Sequence, residues 1–175
     1  MAAPAVQRRA EQLRTQDSGL LVRHVGQGDP LVRPMLAELA REYSTRYGHP
    51  RQQVHRELLD YPAAEFAAPS GDLLLLLEDG VPVAGGAFRR YDQQTAELKR
   101  IWTHSEHRRR GLAVRVLTEL ETEARRRGYQ KIYLTTGPRQ PEAKALYLAT
   151  GYRAEFDLDA DPESIGPLPF RKELN

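Results

Sequence analysis

The sequence predicts a mixed α/β domain, a β-sheet with helices on both faces, in the order β-α-α-β-β-β-α-β-α-β-β. Three observations predict it. Five consecutive leucines, 73–77, run into Asp79-Gly80 and a second apolar stretch, the signature of a β-hairpin. "TAELKRIWT" at 95–103 alternates as a further strand. Two helical stretches then follow, stopped by Gly128 and Gly151, with the strand-like "KIYLTT" between them.

The elements are justified in chain order. Residues 1–19 read as a flexible N-terminal tail or weak helix, ahead of one domain at 20–175. "LLVRHV" at 20–25 is a short first strand. Asp29 is a good N-cap and Pro30 a good first helical residue. The helix they open spans roughly 31–46, with Leu31, Met35, Leu36, Leu39 and Tyr43 on one stripe, and Gly48 and Pro50 end it. A shorter helix at about 52–61 packs Val54, Leu58 and Leu59. The leucine run is too short for a typical helix, and Asp79-Gly80 suits a type I′ turn into a strand at 81–91. Gly85-Gly86 inside that strand marks a bulge or a close backbone approach. The helix from 111 to about 127 buries Leu112, Val116, Leu117, Leu120 and Ala124, and its last turn holds Arg125, Arg126 and Arg127, where the dipole favours cations. "QPEAKALYLATG" is the last helix; "YRAEF" and "LPFRKEL" close the sheet.

Composition narrows the function. No apolar run approaches the ~18 residues of a membrane span, and the N-terminus has no secretory apolar core. Cysteine is absent, which excludes disulfides, thiolate metal sites and a Cys nucleophile and fits a cytoplasmic protein. The 26 basic and 24 acidic residues leave too mild a charge to imply nucleic acid. The distribution says more: 99–131 holds ten Lys/Arg against four Glu, while 155–163 holds five acidic residues and no basic one.

Two motifs are decoys. "GQGDPL" lacks the third glycine of a dinucleotide fingerprint and reads as a turn plus a helix cap. His104 and His107 have no third placed ligand and read as a surface pair, so no metal is expected. "HRRRGLAVRV" at 107–116 differs because of its frame. A strand leads into a tight turn, and the turn opens a helix whose first N–H groups lack intrahelical partners. Those groups form a seat for an anion, which a diphosphate would suit. Gly111 and Ala113 let a ligand approach the backbone, and Arg108, Arg109 and Arg110 add charge.

Residues 95–153 resemble the acetyl-coenzyme-A-binding core of the GNAT superfamily of N-acetyltransferases. The family motif Arg/Gln-x-x-Gly-x-Gly/Ala corresponds to Arg108-Arg109-Arg110-Gly111-Leu112-Ala113. A second signature, Asn-x-x-Ala-x-x-Leu-Tyr followed by Gly-Phe/Tyr, matches at Ala143, Leu146, Tyr147, Gly151 and Tyr152. Three positions depart: Ser105 stands where proline is common, Arg109 where a loop glycine is usual, and Gln140 where Asn is usual.

The resemblance implies a GNAT-like, largely antiparallel sheet and acetyl-CoA as co-substrate. It implies that backbone groups of Ile101, Trp102 and Thr103 pair with pantetheine and that one N–H stabilises the oxyanion. Arg108 to Ala113, with Gln140 and Ala143, would bind the cofactor. Tyr147 takes the position of the acid that serves the leaving thiolate, and Glu97 is the best candidate base for the amine. Without cysteine, acetyl transfer is expected to be direct, in a ternary complex. Tyr43, Tyr47, Asp157 and Asp159 are candidate contacts for the amine acceptor, the acids attracting a cationic one. A homodimer is compatible with the sequence; nucleic acid and membrane partners are not expected. The competing readings are an acyl-CoA sensor of the same fold without turnover and a basic nucleic-acid-binding module.

Overall fold

The computed structural model describes residues 19–175. The expected N-terminal tail lies outside the described residues, except Gly19. Seven strands of the described residues form one sheet: β1 (Leu20–His24), β2 (Asp72–Glu78), β3 (Val81–Arg90), β4 (Thr95–Thr103), β5 (Lys131–Thr136), β6 (Arg153–Ala154) and β7 (Leu168–Glu173). Their spatial order is β1-β2-β3-β4-β5-β7-β6. Every pairing is antiparallel except β4 with β5. The helices are α1 (Arg33–Tyr47), α2 (Arg51–Asp60), α3 (Leu112–Arg126), α4 (Pro141–Ala149) and the short α5 (Pro162–Ile165). None is long and apolar enough to cross a membrane.

The leucine run works as a strand because it is buried on both sides. Leu73, Leu75 and Leu77 join Met35, Leu36, Leu39 and Phe66 beneath α1. Leu74 and Leu76 join Val116, Leu117 and Leu120 of α3 on the opposite face. At the hairpin, Asp79 (φ 51°) and Gly80 (φ 79°) both take the left-handed conformation that a type I′ turn requires. The first long helix starts later than its sequence pattern: Asp29 caps a 3-10 turn at Pro30–Val32, and α1 follows. α5 has no counterpart in the sequence reading, and β6 shrinks to two residues.

The feature that positions the site is the parting of β4 from β5. They pair only at Thr95–Lys131, Ala96–Ile132 and Glu97–Tyr133. Further along, β4 stays paired to β3 alone and β5 to β7 alone. A bulge lies in the part of β4 that has left β5. Gly85 faces Trp102 and Ala87 faces Lys99, so the single residue Gly86 opposes both Arg100 and Ile101. Arg100 takes φ 60° to accommodate the extra residue. Gly86 leaves room opposite the bulge: a Cβ there would sit 2.7 Å from Ile101 Cδ1 and 2.9 Å from Leu120 Cδ1, and those side-chain ends would have to shift.

Candidate active site

The parted strands open a cleft on each side of the gap. One, of about 300 Å³, is bounded by the end of β4, the 108–111 loop, the start of α3 and α4. The other, of about 290 Å³, is bounded by β4, the end of β5, Tyr43 of α1 and Pro167. Ile101, Gln140, Ala143 and Tyr147 line both. These four residues mark where the two clefts meet.

The Trp102 indole is buried against α1 and donates to Glu38 Oε1 at 2.9 Å, and Trp102 lines the first cleft with Ile101 and Thr103. Gly111 enters α3 with φ 74°, and no side chain caps the helix. The N–H groups of Leu112, Ala113 and Val114 have no upstream helical carbonyl, and all three residues line the cleft. Together with the positive end of the helix dipole they form an anion seat. Arg108 and Arg109 line it as well. Arg109 has φ 63°, so it adopts the backbone shape that a glycine at that position would take without strain.

Ser105 has a comparable local reason. Its N–H donates to Glu38 Oε1 at 3.0 Å and its hydroxyl to Glu38 Oε2 at 2.6 Å. A proline could make neither bond. Burial raises the Glu38 pKa, but these bonds and the one from Trp102 outweigh it and hold the carboxyl below its ordinary value.

Tyr147 is 5% exposed and packs edge-on against Tyr152, ring centroids 5.6 Å apart. Burial pushes its phenol well above the usual tyrosine range, and nearby Tyr43 adds to the rise. Among the described residues its hydroxyl has no hydrogen-bond partner. Tyr43 lines the second cleft, and its own pKa is pushed up to about 12 by burial. Gln140 Oε1 accepts from Gly137 N at 3.0 Å, so this side chain secures the turn between β5 and α4. Tyr47 closes over the same turn, its hydroxyl accepting from Arg139 N at 3.2 Å.

Several expected site residues lie elsewhere. Arg110 turns from the first cleft to pair with Glu78 of β2 and lies 2.7 Å from His107 Nδ1. Glu97, 9% exposed, accepts from Arg89 Nη1 at 2.9 Å, has Lys99 Nζ at 3.8 Å, and lines neither cleft. Asp157 and Asp159 are exposed on the loop before α5, where Asp157 Oδ1 accepts from Asp159 N at 2.9 Å; they too line neither cleft. Lys99, Arg100, Thr135 and Thr136 line the second cleft without having been singled out from the sequence. A signal existed. Leu98 and Ile101 pack into the same core cluster although three positions apart, a spacing that strict strand alternation forbids without a bulge.

Comparison with known proteins places this geometry. Residues 33–152 match the sequence profile of the acetyltransferase (GNAT) family. The uncharacterized N-acetyltransferase YsnE of Bacillus subtilis is 33% identical over 93 residues, an alignment that takes in 50% of this chain and 62% of that protein. The crystal structure of a GNAT-family acetyltransferase from Staphylococcus aureus superposes with a TM-score of 0.68 at 15% identity, over 89% of this chain and 100% of the other. A GNAT-family acetyltransferase from Elizabethkingia anophelis, crystallised with acetyl-CoA bound, gives 0.64 at 16% identity, over 89% and 99%. These structural likenesses concern the fold.

Proposed function

The chain belongs to the GNAT acetyltransferase family, and on that premise we propose that it transfers an acetyl group from acetyl-CoA directly to an amine. The observation that carries the proposal is the place of Tyr147, at the junction of a cleft suited to a diphosphate-bearing donor and a second cleft open to an acceptor. Acetyl-CoA is the family's co-substrate and supplies, when bound, an activated acetyl thioester. The residues present fit it. The uncapped start of α3, with Arg108 and Arg109, suits the diphosphate. The unpaired edge of β4 at 101–103 offers backbone groups to an extended amide-bearing arm, as a neighbouring strand would.

The roles of the side chains follow from their surroundings. The Tyr147 hydroxyl is free to donate, and its raised pKa keeps it protonated at neutral pH. It acts as a hydrogen-bond donor to a departing thiolate, stabilising charge that develops during transfer. A backbone N–H at the β4 bulge is the proposed donor to the thioester carbonyl. Gln140 holds the β5–α4 turn and so positions α4. Glu97, tied to Arg89, is read as the residue that steadies Lys99 rather than as the base. In the overall exchange the amine nitrogen forms a bond to the acetyl carbon, the carbon–sulfur bond breaks, and the amine proton passes to solvent.

The test combines binding and turnover. Acetyl-CoA should raise the melting temperature, and an amine panel should release free thiol. Tyr147→Phe should lower kcat about a hundredfold while the KM for acetyl-CoA stays within about twofold. Binding without thiol release from any amine would instead identify an acyl-CoA sensor. Unaltered turnover in Tyr147→Phe would remove the tyrosine from the mechanism.

A further inference from the structure

The second cleft carries a charge pattern that an amine alone does not call for. Lys99 and Arg100 both line it, and none of its lining residues is acidic. The bulge turns Arg100 out of the strand alternation and onto the face occupied by α2 and Phe66. The residue is 8% exposed. Nη2 donates to the Leu58 carbonyl at 2.8 Å. Nη1 is buried and has no partner. The guanidinium lies over the rings of Tyr61 and Phe66, with centroids at 5.5 and 5.2 Å. Those rings favour a cation but accept no in-plane hydrogen bond. Among the described residues no carboxylate pairs with Arg100, and burial holds its pKa below the ordinary value.

The buried guanidinium of Arg100, a residue that also lines the cleft, carries one N–H short of an acceptor. Its planar fork matches a carboxylate in shape as well as charge. Lys99 Nζ contributes a second positive charge, held within 3.8 Å of Glu97. The same two cations repel a diamine that carries no anion.

Resting on the acetyl-transfer reading, we propose that the acceptor is an amino acid: its amine meets the acetyl donor at Tyr147, and its carboxylate pairs with Arg100. The carboxylate takes no part in the bond exchange. It fixes the orientation of the amine, and it discriminates against the same molecule with its acid masked.

The experiment uses the full chain, saturating acetyl-CoA and a free-thiol readout. L-alanine, β-alanine and L-phenylalanine are each assayed beside their carboxamides, with putrescine as the diamine. At least one acid should exceed its amide in kcat/KM by about tenfold or more, the weight of a charge-assisted hydrogen bond. Arg100→Met should raise the KM for that acid by about tenfold and bring acid and amide close together, with the KM for acetyl-CoA unmoved. Should Arg100→Met fail to fold, Lys99→Gln decides, with a rise of about threefold in the KM for the acid and none for the amide. Amides or putrescine matching the acids, or an unchanged KM in a folded Arg100→Met, would overturn the proposal while leaving acetyl transfer intact. If acetyl-CoA neither shifts the melting temperature nor yields thiol with any amine, the acetyl-transfer reading fails first and this one with it.

Discussion

Tyr152 donates its hydroxyl to Oε2 of Glu121 at 2.9 Å, a buried bond that ties the end of α4 to the middle of α3. Lys172 Nζ donates to the other oxygen, Oε1, at 2.9 Å, and to the Thr150 carbonyl at 2.8 Å. Burial and the neighbouring Glu121 charge push the Tyr152 phenol up, so it remains a donor at any ordinary pH. Tyr147 packs on Tyr152, and its setting therefore depends on this cluster.

Tyr152→Phe should destabilise the fold by about 1–2 kcal/mol, since Glu121 loses one buried donor and keeps the other. Lys172→Met should cost more, roughly 2–3 kcal/mol, because it strips the countercharge from a buried carboxylate. Lys172 is itself a quarter exposed, which keeps that figure below a fully buried pair. Urea denaturation at pH 7 measures both. A smaller loss in Lys172→Met than in Tyr152→Phe would contradict the ranking.

The lining of the second cleft contains no carboxylate or imidazole. Transfer should then draw on the free-base fraction of the amine. The rate kcat/KM should climb with pH toward the amine's own pKa, about 10 for a lysine-like amine. Glu97→Gln should keep that profile and lose less than about tenfold in kcat. A profile that flattens in the variant, with a loss above about a hundredfold, would restore Glu97 as the base.

Arg109→Gly separates backbone from side chain in the loop. Left-handed strain of about 1 kcal/mol is relieved, and the flexibility of glycine in the unfolded chain takes back a comparable amount. Stability should change by less than about 0.5 kcal/mol. The KM for acetyl-CoA should rise about two- to fivefold, the scale of a solvent-exposed charge contact. An unchanged KM would show that the loop backbone alone holds the donor.

Glu38 links α1 to the end of β4, and its depressed pKa makes that link pH-dependent. A carboxyl whose folded pKa lies below its unfolded value of about 4.3 contributes stability above that value and loses it as pH falls through the folded pKa. The melting temperature should therefore fall more between pH 5 and pH 3 in the wild type than in Glu38→Gln, on a scale of ~2 pH units. Equal falls would remove Glu38 from the acid transition.

What the sequence determined by itself is local. Asp79-Gly80 specified its turn because few residue pairs take two left-handed conformations in succession. The stripe of Leu112, Val116, Leu117, Leu120 and Ala124 specified α3 because helical spacing puts those positions on one face. The Arg108-to-Ala113 loop could be picked out because it lies between a strand and a helix start, and Tyr147 because it matches the second signature of the resembled family. The tertiary structure alone decided where side chains on the central strand face and which charges find partners. Glu97 stands directly opposite Arg89 and pairs with it, and one extra residue at Arg100 resets the alternation of β4 beyond that point, so that Lys99 and Arg100 both line the second cleft. Glu78 draws Arg110 away from its two neighbours across 32 positions of chain. Asp157 and Asp159 form their own turn in place of a pocket wall. Register and long-range pairing set these outcomes, and both depend on contacts between residues far apart in the chain.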